Sequence, residues 1–461
     1  MRVTTPFDLR VVPHASSSSS RSSASARRGD VEPPRAVRRL RRLPWLPLGL
    51  TLLVALSALM AVPPIRDAAT GGVLDEARLV IPATYLVLSP LYDVLDTLTL
   101  LSVRQHVAVL VTLLLLWAIW RAWPRRTAVV SERPLGRRVA REAGLFAGCL
   151  IGIVGVYALM ALVPRPMARL VLTDLDVLAV DVHAHTQYSH DGRDGWTAER
   201  LRRWAADGGY DVVYVSDHRT LEGVEEALPN NPAVAGQGTV LLPALEVVWR
   251  GERVNVLSFG STYAGITDAA LRDIDDGSLR LASLVRGKEP VLVQTVPADL
   301  AKVAGHAGPG TPGVRAIEVV DGSPRGLGQT RRQRARIVRM ADSLGLALVA
   351  GSDNHGYGRA APGWTLFRAP GWRNAAPVQL AEELERQIRY GGRAATRVAE
   401  RRVADPGDSL LQLVLAAPIA FWRMLTTLSL EQRLMWVIWT WALTLVVVTW
   451  RVGRARRAAR A

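Results

Sequence analysis

Four uncharged apolar stretches constrain this chain most, because each approaches the length that a bilayer demands. They are residues 46–65, 107–120, 143–163 and 434–450. Crossing the hydrocarbon core takes about 20 apolar residues in a helix. The second stretch is short, and Ala122 and Trp123 extend it if Arg121 snorkels to the interface. A fifth stretch, 79–92, holds Pro82 and Pro90 and runs into Asp93 and Asp96, which reads as interfacial or re-entrant.

Charge sits around these stretches. Residues 1–43 carry ten Arg against three acids, residues 121–142 seven against two, and residues 451–461 five against none. The whole chain is +16, so the remainder is nearly neutral. A nucleic-acid groove would place its basic residues on the folded domain. Basic flanks read instead as topology signals, with four spans placing all three basic segments in the cytoplasm and residues 165–430 outside. Trp45, Trp123, Trp436 and Trp450 fit an interfacial belt. The expected organisation is a disordered basic tail (1–43), a membrane region (44–164), an α/β domain (170–405), an amphipathic surface segment (406–430), a last span (434–450) and a basic tail (451–461). That describes an integral protein of a bacterial-type plasma membrane, with its large domain extracytoplasmic. The bilayer is one partner, and nothing points to an obligate protein partner. A single cysteine, Cys149, excludes a disulfide framework within the chain.

Between the last two spans, strand and helix signals alternate. Strands are expected at 177–182, 211–216, 240–248, 254–259, 290–296, 315–320 and 346–350, with helices at 198–206, 269–285, 331–344 and 378–390. Such alternation implies a largely parallel α/β architecture, barrel or open sheet. Five of the eight histidines fall in motifs at strand ends: His183, His185, His190, His218 and His355. In Asp181-Val182-His183-Ala184-His185 the two imidazoles share a strand face. Ser216-Asp217-His218, Glu246 and Gly351-Ser352-Asp353-Asn354-His355 close other strands. Strand C-termini are where α/β folds assemble sites. Histidines and carboxylates without thiolates suit zinc, manganese or iron, and the number of candidates suits two or three divalent ions.

These motifs resemble the PHP (polymerase and histidinol phosphatase) superfamily: DVHAHTQYSHDG at 181–192, VSDH at 215–218, ALEVV around Glu246 and GSDNH at 351–355. The resemblance covers roughly residues 178–400. It implies a distorted (β/α)₇ barrel binding up to three metals, with transmembrane helices added here at both ends. It also implies that His183 and His185 bind one metal, Glu246 bridges two, Asp353 completes the pair, and His218 and His355 serve the second and third. Asp191, with His190 as alternative, joins them. Two departures remove usual imidazoles, since Asn255 and Val296 stand where the family has His; His306 lies in a nearby Gly/Pro loop.

The implied activity is hydrolysis of a phosphate ester by a metal-activated water, with Glu246 central. Asp217 is expected to orient neighbouring groups, and Arg219 is a candidate for phosphate binding. The substrate would be a phosphorylated small molecule or headgroup. Alternatives are a nuclease trimming short oligonucleotides and a degenerate metal-binding sensor without catalysis.

Overall fold

The computed structural model describes residues 44–122, 135–249, 251–257, 291–304 and 313–458. All but the first three belong to one compact unit, Pro47–Ala461. The tail at 1–43, the end of the basic tail at 459–461, the helix expected at 269–285 and His306 lie outside the described residues.

The strands are β1 (Ile65–Asp67), β2 (Ala77–Val80), β3 (Arg169–Leu172), β4 (Val177–Ala184), β5 (Val212–Val215), β6 (Val240–Pro243), β7 (Leu245–Trp249), β8 (Glu252–Val256), β9 (Leu292–Gln294), β10 (Val314–Asp321), β11 (Ala347–Gly351), β12 (Gly363–Arg368) and β13 (Arg397–Arg401). The fold is mixed α/β, in two large sheets and a small one. The orders are β1-β13-β12-β4-β5-β6 and β11-β10-β9-β8-β7, with β2 and β3 paired separately. Only β4–β5, β5–β6, β9–β10 and β10–β11 are parallel among the named pairs, so the largely parallel expectation gives way to a mixed arrangement. Short connections explain it: β7 and β8 are joined by a tight turn with Gly251 at φ 78°, and such hairpins are antiparallel. The single strand expected at 240–248 divides at Ala244 into β6 and β7, one in each sheet.

Isolated parallel bridges, Ala184 to Asn354 and His218 to Glu246, join the two sheets beyond the regular ladders. Both sheet faces are covered. In β5, Val213 and Val215 enter one apolar cluster while Val212 and Tyr214 enter another, as a period of two requires.

Among the described residues, three helices are long and apolar enough to cross a membrane: Val103–Arg121, Val139–Leu162 and Leu430–Ala458. The first apolar stretch differs from expectation. It is helical over Trp45–Leu59, 15 residues, or about 22 Å, against the about 30 Å of a hydrocarbon core. Pro63 and Pro64 block continuation, and Ile65 pairs as a strand with Arg401. Residues 79–92 do not form one segment either; they contribute to β2 and to the helices Ala83–Leu86 and Ser89–Thr99.

A buried polar network ties this region to the sheets. Asp93 accepts from Tyr85 Oη (3.0 Å), Ser89 Oγ (2.7 Å), Gln432 Nε2 (2.6 Å) and Trp436 Nε1 (2.8 Å). Asp96 receives Arg165 at 2.6 Å and Arg401 at 2.8 Å. Residues 406–430 supply the short helices Leu410–Val414 and Ala416–Thr427, and Ala416, Ala420, Met424 and Leu425 are buried.

Candidate metal centre

β4 is buried along its whole length, so its polar residues must find partners inside. Asp181 Oδ1 accepts from the backbone of His183 (3.2 Å) and of Ser352 (2.9 Å). His183 O in turn accepts from Asp353 N at 2.8 Å, and His185 N donates to Asn354 O at 3.1 Å. The ends of β4 and β11 are thus bonded to each other. Asp353 adopts φ 47°, a left-handed conformation uncommon for a residue with a side chain.

Four donors converge. His183 Nε2 lies 2.9 Å from His185 Nε2 and 3.4 Å from both Glu246 Oε2 and Asp353 Oδ1. His185 Nε2 lies 3.1 Å from Asp353 Oδ1 and 3.6 Å from Glu246 Oε2. Metal–ligand bonds of about 2.0–2.2 Å give a tetrahedron with edges of about 3.3–3.6 Å. These five of the six edges fall at or inside that size, and His183, His185 and Asp353 form a candidate metal-binding group with Glu246 beside the two imidazoles.

A second set adjoins it through Glu246. His218 Nδ1 is 2.9 Å from Glu246 Oε2, and His218 Nε2 is 3.5 Å from Asp191 Oδ1. His355 Nε2 approaches Asp191 Oδ1 at 3.1 Å, and its ring stacks on His185 with centroids 4.0 Å apart. Between the two neighbours left open by spacing, Asp191 faces the cluster. His190 is 71 % exposed and lies 3.9 Å from Asp191.

Asp217 is buried beside the cluster. Its carboxylate accepts from Thr186 N (2.7 Å), Thr186 Oγ1 (2.6 Å) and Ser189 Oγ (2.9 Å). Ser189 Oγ lies 3.0 Å from His185 Nδ1 and accepts from the His218 backbone N–H at 3.1 Å, so Asp217 acts through it on the His185 imidazole and on the backbone of His218. Arg219 is exposed, with φ 56° and its N–H on Glu246 O. The arginine that reaches the cluster is Arg253, whose Nη1 is 3.3 Å from Glu246 Oε1 and 3.2 Å from His218 Nδ1.

Three residues escape the motif reading. Glu318 Oε1 meets His183 Nδ1 at 3.0 Å, and Asp321 joins the same group. Their signal is two acids at the end of an otherwise apolar strand, EVVD. Arg253 stands two residues before Asn255 and so shares its strand face.

Burial and charge pull the titrating groups apart. Burial works against the His183 imidazolium, but Glu318, Asp353 and Glu246 overcome it and hold its pKa well above the usual value. Burial, then the charges of His355 and His183, push His185 well below its usual value. Burial disfavours the Glu246 carboxylate, yet His183 and His218 outweigh it and keep its pKa low. Burial drives Asp353 and Glu318 well up, with His183 opposing and Asp321 adding.

These residues fit divalent ions. Asn255 stands opposite Glu246 in the β7–β8 ladder, so both side chains share a face. Its Oδ1 is buried without a hydrogen-bond partner, as is Glu318 Oε2, and a buried unmet acceptor costs about 1–3 kcal/mol. Val296 is buried and offers no donor.

No family model and no curated protein matches the chain. Solved structures similar to it include PsfC from Pseudomonas syringae, 20 % identical, covering 54 % of this chain and 98 % of that one with a TM-score of 0.33. Endonuclease Q from Pyrococcus furiosus is 14 % identical over 47 % of this chain and 56 % of its own, with a TM-score of 0.34. A Bacteroides vulgatus two-domain protein, described as containing a predicted PHP-like metal-dependent phosphoesterase, is 15 % identical over 43 % and 61 %, with a TM-score of 0.25. Scores this low do not assign the chain to a family.

Proposed function

We propose that this chain is a membrane-anchored, metal-dependent phosphoesterase of the PHP type. The observation that carries the reading is the convergence of His183 Nε2, His185 Nε2 and Asp353 Oδ1, 2.9–3.4 Å apart, with Glu246 Oε2 3.4–3.6 Å from both imidazoles. That set would hold one ion. His218 and His355, with Asp191 or Glu246, would hold a second. Divalent ions bound there supply Lewis acidity and neutralise charge on a phosphoryl group.

The chain's own residues do the rest. Glu318 and Ser189 fix the two central imidazoles through their Nδ1 atoms. Arg253, with a side chain 45 % exposed, offers N–H donors to a phosphate oxygen. A water adds to phosphorus, the ester P–O bond breaks, and the departing alcohol takes up a proton.

Helix polarity supports the anchorage. Arg104 and Gln105 bond Asp408 and Asp405, so the Val103–Arg121 helix starts at the α/β region; Gln432 and Trp436 bond Asp93, on the helix whose Asp96 holds Arg401 of β13, so Leu430–Ala458 starts on that side too. Val139–Leu162 ends there. The opposite ends carry Arg137 and Arg141, Arg454 and Arg457, and an Arg121–Glu142 ion pair. By the positive-inside rule those ends face the cytoplasm and the α/β region lies outside.

The test uses the full chain in lipid nanodiscs, against a His183→Ala, Asp353→Ala double variant. Metal content is measured together with turnover of p-nitrophenyl phosphate, bis-p-nitrophenyl phosphate and a short oligonucleotide. Metal and turnover of either small ester, both lost in the variant, are expected. Preference for the oligonucleotide would favour a nuclease. Metal without turnover would favour a sensor, and a wild type that binds no metal would end the proposal.

A further inference from the structure

The loops of the metal centre are held by the domain-side ends of two long apolar helices. Gly358 N donates to Ala161 O at 3.2 Å, and Arg359 Nε donates to Arg165 O at 3.0 Å. Arg193 crosses the gap as well. Its N–H donates to His355 O at 2.9 Å, while its Nη1 reaches Leu162 O at 3.4 Å and Gly356 O at 3.3 Å. One arginine therefore links the His355 backbone to the last residue of the Val139–Leu162 helix.

The second helix arrives against the same loop. Thr99 and Leu100, just before Val103–Arg121 begins, line a cavity of about 100 Å³ with Asp353, Asn354 and Tyr357. The approach is so close that a methyl on Gly358 would sit 2.9 Å from Thr99 Cγ2, and Gly358 itself has φ +80°. Tyr357, beside it, is 51 % exposed.

These contacts fix a depth. A span of 24 residues is about 36 Å long, enough to cross a core of about 30 Å and end at its polar boundary. His355 is three residues from Gly358, a reach of at most about 11 Å. The His355 backbone thus stands within about two headgroup layers of the boundary, beside the level where the phosphates of membrane lipids lie.

Resting on the phosphoesterase reading and its membrane anchorage, we infer that the substrate is the phosphate ester of a membrane amphiphile, met at the bilayer surface with its chains still in the lipid. Water adds to phosphorus, the P–O bond to one alcohol breaks, and that alcohol leaves with a proton. One product keeps the chains and stays in the membrane. Confinement raises the effective concentration of such a substrate at a site tied to the same surface.

The test compares long-chain phosphatidic acid and phosphatidylglycerol, held in phosphatidylcholine nanodiscs with the full-length enzyme, against their short-chain, water-soluble homologues. Para-nitrophenyl phosphate and its bis ester are run alongside. The expected result is kcat/KM on the order of a hundredfold higher for at least one long-chain ester, with the advantage lost in detergent. Equal values for long and short chains, with the nitrophenyl esters still hydrolysed, would overturn the inference and leave the phosphoesterase reading standing. No hydrolysis of any ester would overturn both.

Discussion

Glu318 offers the sharpest test of how the centre is built. Its Oε1 lies 3.0 Å from His183 Nδ1, in a residue with no exposed surface. A carboxylate in that place holds the ring so that Nε2 faces Glu246 and Asp353, and it raises the basicity of that nitrogen. Glu318→Gln keeps an acceptor oxygen and loses the charge. Removing such a partner costs 10–100-fold in metal affinity in general. Retention of the hydrogen bond puts Gln at the low end, about tenfold or about 1.4 kcal/mol. Glu318→Ala also strands a buried N–H, which costs about 1–3 kcal/mol more, so about a hundredfold loss is expected. The assay is calorimetric titration of Zn²⁺ or Mn²⁺ into chelator-stripped full-length protein. Affinities for both variants within about twofold of wild type would refute the idea that Glu318 orients His183.

Other expectations follow from packing and charge. Asp96→Asn strands Arg165, whose side chain is 1 % exposed, and weakens the hold on Arg401; breaking a buried pair costs about 3–5 kcal/mol, readable as a lowered unfolding midpoint in detergent. Gly351→Ala would place a methyl 2.5 Å from His183 Cβ and 2.6 Å from Glu318 Oε1; such overpacking costs about 1–3 kcal/mol, and metal content should fall with it. Burial pushes Asp211 up to about 6 from 3.8, against the Ala179 N–H and the charges of Arg373 and Arg169. A raised carboxyl pKa means that the native state binds the proton more tightly than the unfolded one. Its contribution is therefore greatest near pH 3.8 and declines as pH rises to about 6. Thermal melts across that window should show a shallower pH slope in Asp211→Asn, and an unchanged slope would sink the assignment.

The convergence of the motif residues was legible because they lie in short motifs at strand ends, where local pattern predicts that side chains meet. His183, His185, Asp191, His218, Glu246, Asp353 and His355 all meet in the folded chain. What escaped depends on distance in sequence. Glu318 meets His183 across 135 residues, and nothing in EVVD announces its partner. Arg253 lies outside the motifs, and its place on the face of Asn255 emerges only from the β7–β8 pairing. For the fold, apolar runs marked strands but not their directions, so β12 and β13 give an antiparallel element that alternation does not foretell. The first apolar stretch outruns its helix because hydropathy continues from Met60 to Ile65, whereas the helix ends at Leu59, just ahead of Pro63 and Pro64.

β1 has a consequence for how the molecule is made. Ile65 lies opposite Arg401 and Asp67 opposite Ala399, so the edge of the six-stranded sheet is contributed from the far side of two long apolar helices in the chain. The strand leaves the ribosome early, and its partner is synthesised more than three hundred residues later. Until then its N–H and C=O groups have no ladder to join, and loop closure of that size slows assembly. Sheet completion therefore comes late in synthesis, after both intervening apolar helices have been made. For the same reason a fragment beginning after residue 165 would start life with an open edge at β13, a surface prone to pair with other chains.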